Sequence, residues 1–213
     1  MKRFPSLVFG WLLAAFTLAA SAADIQAGKH YAPVEPMLPV AAPGKIEVVE
    51  FFSYACPHCR DFNPVVTDWK KRLPADVTFR RVPITFNRPA WARLARIYYA
   101  LESTGELAKH DEAVFRALHD ERVNFNTDQS VFDWAAAKGI DMKKFGNAYN
   151  AFSMANLVAQ GDKDAAAYRI SGVPAMAVDG RWLVLNTGAE SYGDLIRITD
   201  ALIAKARAEP RKK

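Results

Sequence analysis

The chain is 213 residues long, 51% hydrophobic and 24% charged, enough apolar material for a buried core and too much for a disordered polymer. Its formal charge of +5 includes Lys2 and Arg3 near the N-terminus, and without those two it falls to +3, which offers little to a nucleic-acid partner. The only two cysteines, Cys56 and Cys59, are too few for a disulfide-stapled scaffold, and the small loop they could close constrains little of the unfolded chain, so the pair is expected to react rather than to brace.

In chain order, Lys2 and Arg3 precede an apolar run from Leu7 to Ala20 and the small residues Ala20-Ser21-Ala22-Ala23. The run is shorter than the roughly 20 residues that span a bilayer, so residues 1–22 read as a signal peptide cleaved after Ala22 or Ala23, which places the mature protein in the periplasm. Residues 24–45, with Pro33, Pro36, Pro39 and Pro43, predict an extended arm ending near Gly44. Ile46-Glu47-Val48-Val49-Glu50-Phe51-Phe52 has the β-branched and aromatic content of a strand, with Ile46, Val48, Glu50 and Phe52 on one face. Cys56-Pro57-His58-Cys59 then opens a helix reaching Arg72, with proline in its first turn and Pro64 expected to kink it.

A second strand is predicted over residues 77–84, and Asn87-Arg88-Pro89 ends that pattern. Between Ala90 and Ile170 the sequence reads as several helices, punctuated by Gly105, by Val123-Asn124-Phe125-Asn126, by Gly139 before a cap at Asp141, and by Gly161. Phe125, Trp134, Phe145 and Tyr149 are expected to form the core of those helices. Two apolar runs, from Val173 to Val178 and from Arg181 to Leu185, flank Asp179-Gly180 and predict a hairpin. Ser191-Tyr192-Gly193-Asp194 starts a last helix with Leu195, Ile198, Leu202 and Ile203 on one face, and Arg211, Lys212 and Lys213 read as a solvated end.

This order predicts an α/β fold in which one sheet domain, residues 23–86 and 161–213, is split by an all-helical insertion over 87–160. The dithiol sits where the first strand meets its helix. If Cys56 caps that helix, its sulfur faces unpaired N–H groups and the positive end of the dipole, which stabilise thiolate and lower its pKa. Cys59 lies one turn on, on the same face, within reach of exchange. Pro57 costs the first turn no needed donor, and His58 can donate to the Cys56 sulfur or place a charge beside it. A dithiol stabilised in its reduced form makes an oxidising disulfide. Glu50 is a candidate buried carboxylate with a raised pKa that relays protons, unless it points to solvent at the strand end, and Arg80 or Arg81 is its candidate neighbour. His30, His110 and His119 do not cluster with the dithiol in sequence and read as surface or partly packed residues.

Phe51-Phe52-Ser53-Tyr54-Ala55-Cys56-Pro57-His58-Cys59, together with Ser171-Gly172-Val173-Pro174-Ala175, resembles the DsbA family of bacterial thiol:disulfide oxidoreductases, and the similarity runs through essentially the whole mature chain. The resemblance implies a thioredoxin fold, with Cys56 the exposed nucleophile, Cys59 its buried partner, an acid at Glu50, and a cis Val173–Pro174 bond facing the cysteines and binding substrate backbone. It also implies unfolded exported proteins with free cysteines as substrates, a quinone-linked membrane partner, DsbB, as reoxidant, a monomer, and no metal or bound cofactor. Tyr54-Ala55 departs from members that carry two aromatics there, which puts partner preference in question. Two other functions compete: a disulfide isomerase or reductase, for which no dimerisation segment is left over, and a metal-binding or chaperone module using Cys56, His58 and Cys59 as soft ligands.

Overall fold

A computed structural model describes residues 25–211, so the signal-peptide reading lies outside the described residues. Five strands form one mixed sheet: β1 (Tyr31–Pro33), β2 (Ile46–Phe52), β3 (Val77–Pro83), β4 (Ala175–Val178) and β5 (Trp182–Val184). Their spatial order is β1-β5-β4-β2-β3. The helices are α1 (Pro57–Lys70), α2 (Pro89–Ser103), α3 (Leu107–His119), α4 (Asp128–Ala137), α5 (Met142–Tyr149), α6 (Met154–Ala167) and α7 (Tyr192–Ala208). Helix α1 is the crossover between the parallel strands β2 and β3, while β4 runs antiparallel to β2. The α/β sheet domain with a helical insertion is therefore the fold observed, and among the described residues no helix is long and apolar enough to cross a membrane.

Strand β2 is buried on both faces, which explains its nearly continuous apolar run. Val48 faces a core built with Phe62, Val66 and Trp69 of α1 and with Leu195, Ile198 and Leu202 of α7. Val49 and Phe51 face the opposite core, with Ala165 and Tyr168. Phe52, at the strand end, joins a third cluster that contains Cys56, Cys59, Phe125 of the α3–α4 connection and the packed side chains of α2 to α5, including Trp134, Phe145 and Tyr149. The end of β2 thus delivers the cysteines to the junction between sheet and insertion.

The hairpin turns at Asp179 and Gly180, both with positive φ (55° and 64°), the type I′ geometry that matches strand twist. The arm before β2 contributes more than an extended lead: Tyr31–Pro33 pairs antiparallel with β5 as the edge strand. Helix α1 continues past Pro64, which lies on its exposed side.

Gly161, expected to end a helix, instead lies inside α6. A Cβ built there would sit 2.7 Å from the Pro83 carbonyl oxygen and 3.2 Å from Val82 Cγ1, so the missing side chain lets α6 lie against the end of β3. Residues 160 and 161 are consequently joined by one helix whose Met154 and Val158 pack in the insertion core and whose Ala165 packs on the sheet. In an unobstructed helix Gly→Ala gains about 1 kcal/mol. Here Gly161→Ala is expected to cost about 1–3 kcal/mol in a urea melt, because the close approach must open; a gain in stability would show that the contact is not tight.

Candidate active site

Cys56 is the N-cap of α1, in extended backbone (φ −89°, ψ 118°), and Pro57 takes the first helical position, where its missing N–H costs nothing. The Cys56 sulfur therefore stands where the first N–H groups of the helix are unpaired. Its pKa is lowered to about 6, first by a hydrogen bond from the Cys59 thiol, then, against the opposing effect of burial, by the backbone N–H groups of Cys59 and His58 and by the charge of His58. Cys56 keeps 8% of its surface exposed while Cys59 keeps none. Burial pushes the Cys59 thiol far up, and its hydrogen bond to Cys56 and the negative charges of Cys56 and Glu50 add to the shift. Two cysteines of identical chemistry are thus split into a ready thiolate and a retained thiol.

The Val173–Pro174 peptide is cis and lies against the pair: in its protonated form the Cys56 thiol donates to the Val173 carbonyl at 3.3 Å. That bond favours the thiol, so it opposes the helix N–H groups, which stabilise only the anion. Asn186 donates through Nδ2 to the Pro174 carbonyl at 2.8 Å. Beside the loop lies a cleft of about 470 Å³ lined by His58, Val173, Pro174, Asn186, Tyr192 and Leu195. His58 is exposed on its rim, with Nδ1 3.5 Å from the Tyr192 hydroxyl.

Glu50 is fully buried and does not reach solvent at the strand end. The parallel register of β2 and β3 sets it opposite Arg81, not Arg80. Arg81 Nε donates to Glu50 Oε2 at 2.7 Å and its Nη1 to Asp111 Oδ2 at 2.7 Å, and the Tyr54 hydroxyl donates to Asp111 Oδ1 at 2.6 Å. The guanidinium also lies 3.9 Å from the centroid of the Phe52 ring. Desolvation raises the Glu50 pKa, with Arg81 pulling the other way, and among the described residues Glu50 Oε1 has no hydrogen-bond partner. Arg80 pairs with Glu47 and Asp164 instead.

The structure therefore brings Cys56, Pro57, His58, Cys59, Val173 and Pro174 together, with Glu50 close enough to Cys59 to raise its pKa. Four residues not placed at the site by the sequence stand beside it: Tyr54, Asn186, Tyr192 and the partly packed His119, whose Nε2 lies 2.7 Å from the Tyr54 carbonyl. His119 is 65 residues from its partner and Tyr192 is 134 from His58, separations that leave no local pattern.

A DSBA-like thioredoxin domain model matches residues 47–196. The thiol:disulfide interchange protein DsbA of Pseudomonas aeruginosa is 40% identical over 199 residues, covering 92% of this chain and 93% of its own length. The protein of the same name from Bordetella parapertussis is 38% identical over 205 residues, covering 96% and 97%. A crystal structure of Pseudomonas aeruginosa DsbA superposes with a TM-score of 0.83 at 39% identity, covering 88% of this chain and 97% of that one. Sequence and fold match over nearly the full length, with a Cys-x-x-Cys pair at the start of α1, and the chain belongs to the DsbA-like thioredoxin family of thiol:disulfide oxidoreductases.

Proposed function

We propose that the protein works in the periplasm as a dithiol oxidase, passing the Cys56–Cys59 disulfide to newly exported proteins. The observation that carries this reading is the asymmetry of the pair: Cys56 ionises at about 6 while Cys59 is held protonated. A thiolate stabilised in the reduced protein is a good leaving group and biases the couple toward giving its disulfide away.

In the first step a substrate thiolate attacks Cys56 Sγ, the Cys56–Cys59 bond breaks, and Cys59 leaves with the electron pair, producing a mixed disulfide. A second substrate thiolate then attacks the substrate sulfur of that bond and expels Cys56 as a thiolate. The substrate has lost two electrons and gained a disulfide, and the protein has become the dithiol. Cys59 leaves into a buried site that disfavours its anion, so a proton must reach it, and Glu50, itself buried with a raised pKa, is assigned as the donor. Val173 and Pro174 border the cleft where the substrate backbone is assigned to lie. A DsbB-like quinone-linked membrane oxidase removes the two electrons and restores the disulfide, and the protein acts as a monomer without a bound cofactor.

The isomerase reading needs a less oxidising couple than this asymmetry favours. The ligand-module reading is also less well supported: among the described residues no three His, Cys, Asp or Glu side chains converge as a metal-holding group. The potential of the couple against glutathione separates the readings, and a value no more oxidising than glutathione removes the oxidase.

Cys56→Ala is expected to reduce oxidation of a reduced unfolded protein to background, whereas Cys59→Ala accumulates covalent adducts through Cys56; equal residual activity in both variants contradicts the assigned roles. Glu50→Gln should slow mixed-disulfide formation while leaving the Cys56 titration near its wild-type midpoint, and an unchanged rate removes the proton assignment. In the reduced protein the ultraviolet absorbance of the thiolate should titrate near 6. An unfolded thiol ionises at about 8.5, so ionisation of Cys56 stabilises the reduced fold, an effect complete above that value and lost as pH falls through about 6. Cys59, held protonated in the fold, opposes this only above about pH 8.5. The stability of the reduced protein relative to the oxidised one should therefore climb between these two values, and a flat difference would contradict the ionisation.

A further inference from the structure

Ser53 to Cys56 form the turn that carries the chain from β2 into α1, closed by the Cys56 N–H donating to the Ser53 carbonyl at 3.0 Å. The soft motion of such a turn is rotation of its central peptide, whose full flip converts type I to type II. Here that peptide joins Tyr54 to Ala55, and both of its polar groups are tied. The Ala55 N–H donates to Ser53 Oγ at 3.2 Å. The Tyr54 carbonyl lies 2.7 Å from His119 Nε2, and because a carbonyl oxygen only accepts, Nε2 carries the hydrogen.

His119 is the last residue of α3, half-buried and stacked on Phe115 with ring centroids 6.3 Å apart. Phe115 meets the Tyr54 ring edge-on at 4.8 Å, and Asp111, eight residues before His119 on the same helix, takes the Tyr54 hydroxyl. One helix of the insertion therefore grips Tyr54 at its carbonyl and at its hydroxyl. Ala55 is not among the residues with positive φ, and a complete flip would force it there, so sterics already resist the full rotation. What the His119 bond restrains is the smaller rocking of the peptide, which swings the next residue.

That next residue is Cys56, the N-cap of α1, whose pKa is lowered by the backbone N–H groups of Cys59 and His58 in the first turn. Hydrogen bonds to a thiolate weaken steeply with misalignment. We propose that His119 is a positioning residue for the redox couple, fixing the Tyr54–Ala55 peptide and, through it, the seat of the Cys56 sulfur at the helix start. The helical insertion then sets the oxidising strength of a dithiol that it does not itself carry. This rests on the reading of the pair as an oxidising couple.

The test compares the full-length wild-type protein with three variants, reading the equilibrium constant with glutathione and the Cys56 midpoint from thiolate absorbance. His119→Phe keeps the stacking but removes the donor, and it should shift the equilibrium about 3- to 10-fold toward the oxidised protein, the worth of one net hydrogen bond, with the Cys56 midpoint moving up. His119→Gln restores a donor and should return both readings to within about 2-fold of wild type, a rescue that a merely structural role would not give. His119→Ala is a second donor-free variant, read in the same way if the larger ring disturbs α3. Wild-type values in the donor-free variants, or equal shifts in His119→Phe and His119→Gln, overturn the proposal. A wild-type couple no more oxidising than glutathione overturns the oxidase reading instead, and the ratio of variant to wild type still decides the role of His119.

Discussion

The rest of the site depends on one electrostatic fact: the first turn of α1 presents backbone N–H groups that no carbonyl of the helix can satisfy, and Cys56 is the N-cap residue beside them. An anion there is stabilised by fixed dipoles that need no rearrangement when charge develops. Proline at the first position removes a group the helix could not have used, and the Cys59 thiol, one turn on, adds a donor that points back at Cys56. The same helix that lowers one cysteine buries the other, so the division of labour between the two sulfurs follows from their place on a single element.

Beneath this lies a buried charge cluster that needs its own accounting. A carboxylate at the centre of a sheet carries a large desolvation penalty unless it is paired. Arg81 supplies the pairing for Glu50 from the neighbouring strand, and shares itself with Asp111 of α3 and with the face of Phe52. Replacing such a cluster with apolar side chains is often neutral or stabilising, so stability alone is a weak reason for its presence. Its position does offer a reason. It links β2, β3 and α3 at the point where the insertion meets the sheet, and the charge of Glu50 adds to the upward shift of the Cys59 pKa.

Much of this architecture was legible because local pattern and tertiary role agreed. The apolar run of β2, the proline-led helix after it, the Asp-Gly turn and the face of α7 each combine a propensity with the burial it predicts. What could not be read depends on partners distant in sequence. Gly161 resembled a helix end because glycine usually is one, and only the carbonyl of Pro83 across the interface explains it. Tyr31–Pro33 carries a strand whose pairing is fixed by β5, some 150 residues away, amid prolines that argued against a strand. Glu50 was a candidate from its place on β2, yet choosing between Arg80 and Arg81 required the register with β3. His119 offered no motif at all, since its one defining contact is with a main-chain oxygen.

Three of these, apart from the edge strand Tyr31–Pro33, share a location. Gly161, the choice of Arg81 over Arg80, and His119 all lie where the insertion touches the sheet domain, and a linear division of the chain into two units hides that boundary. The chain crosses it within α6, a single helix with one end in each core, and Cys56 and Cys59 pack in the same cluster as Tyr98, Phe115 and Trp134. An insertion that were only a lid would need few such contacts. Here it supplies Asp111 to the buried charges around Glu50 and a ring nitrogen to the turn before Cys56. Close-packed interfaces transmit displacement because they cannot absorb it. On the positioning role proposed for His119, the insertion acts on the redox couple through the turn that the strand and helix share.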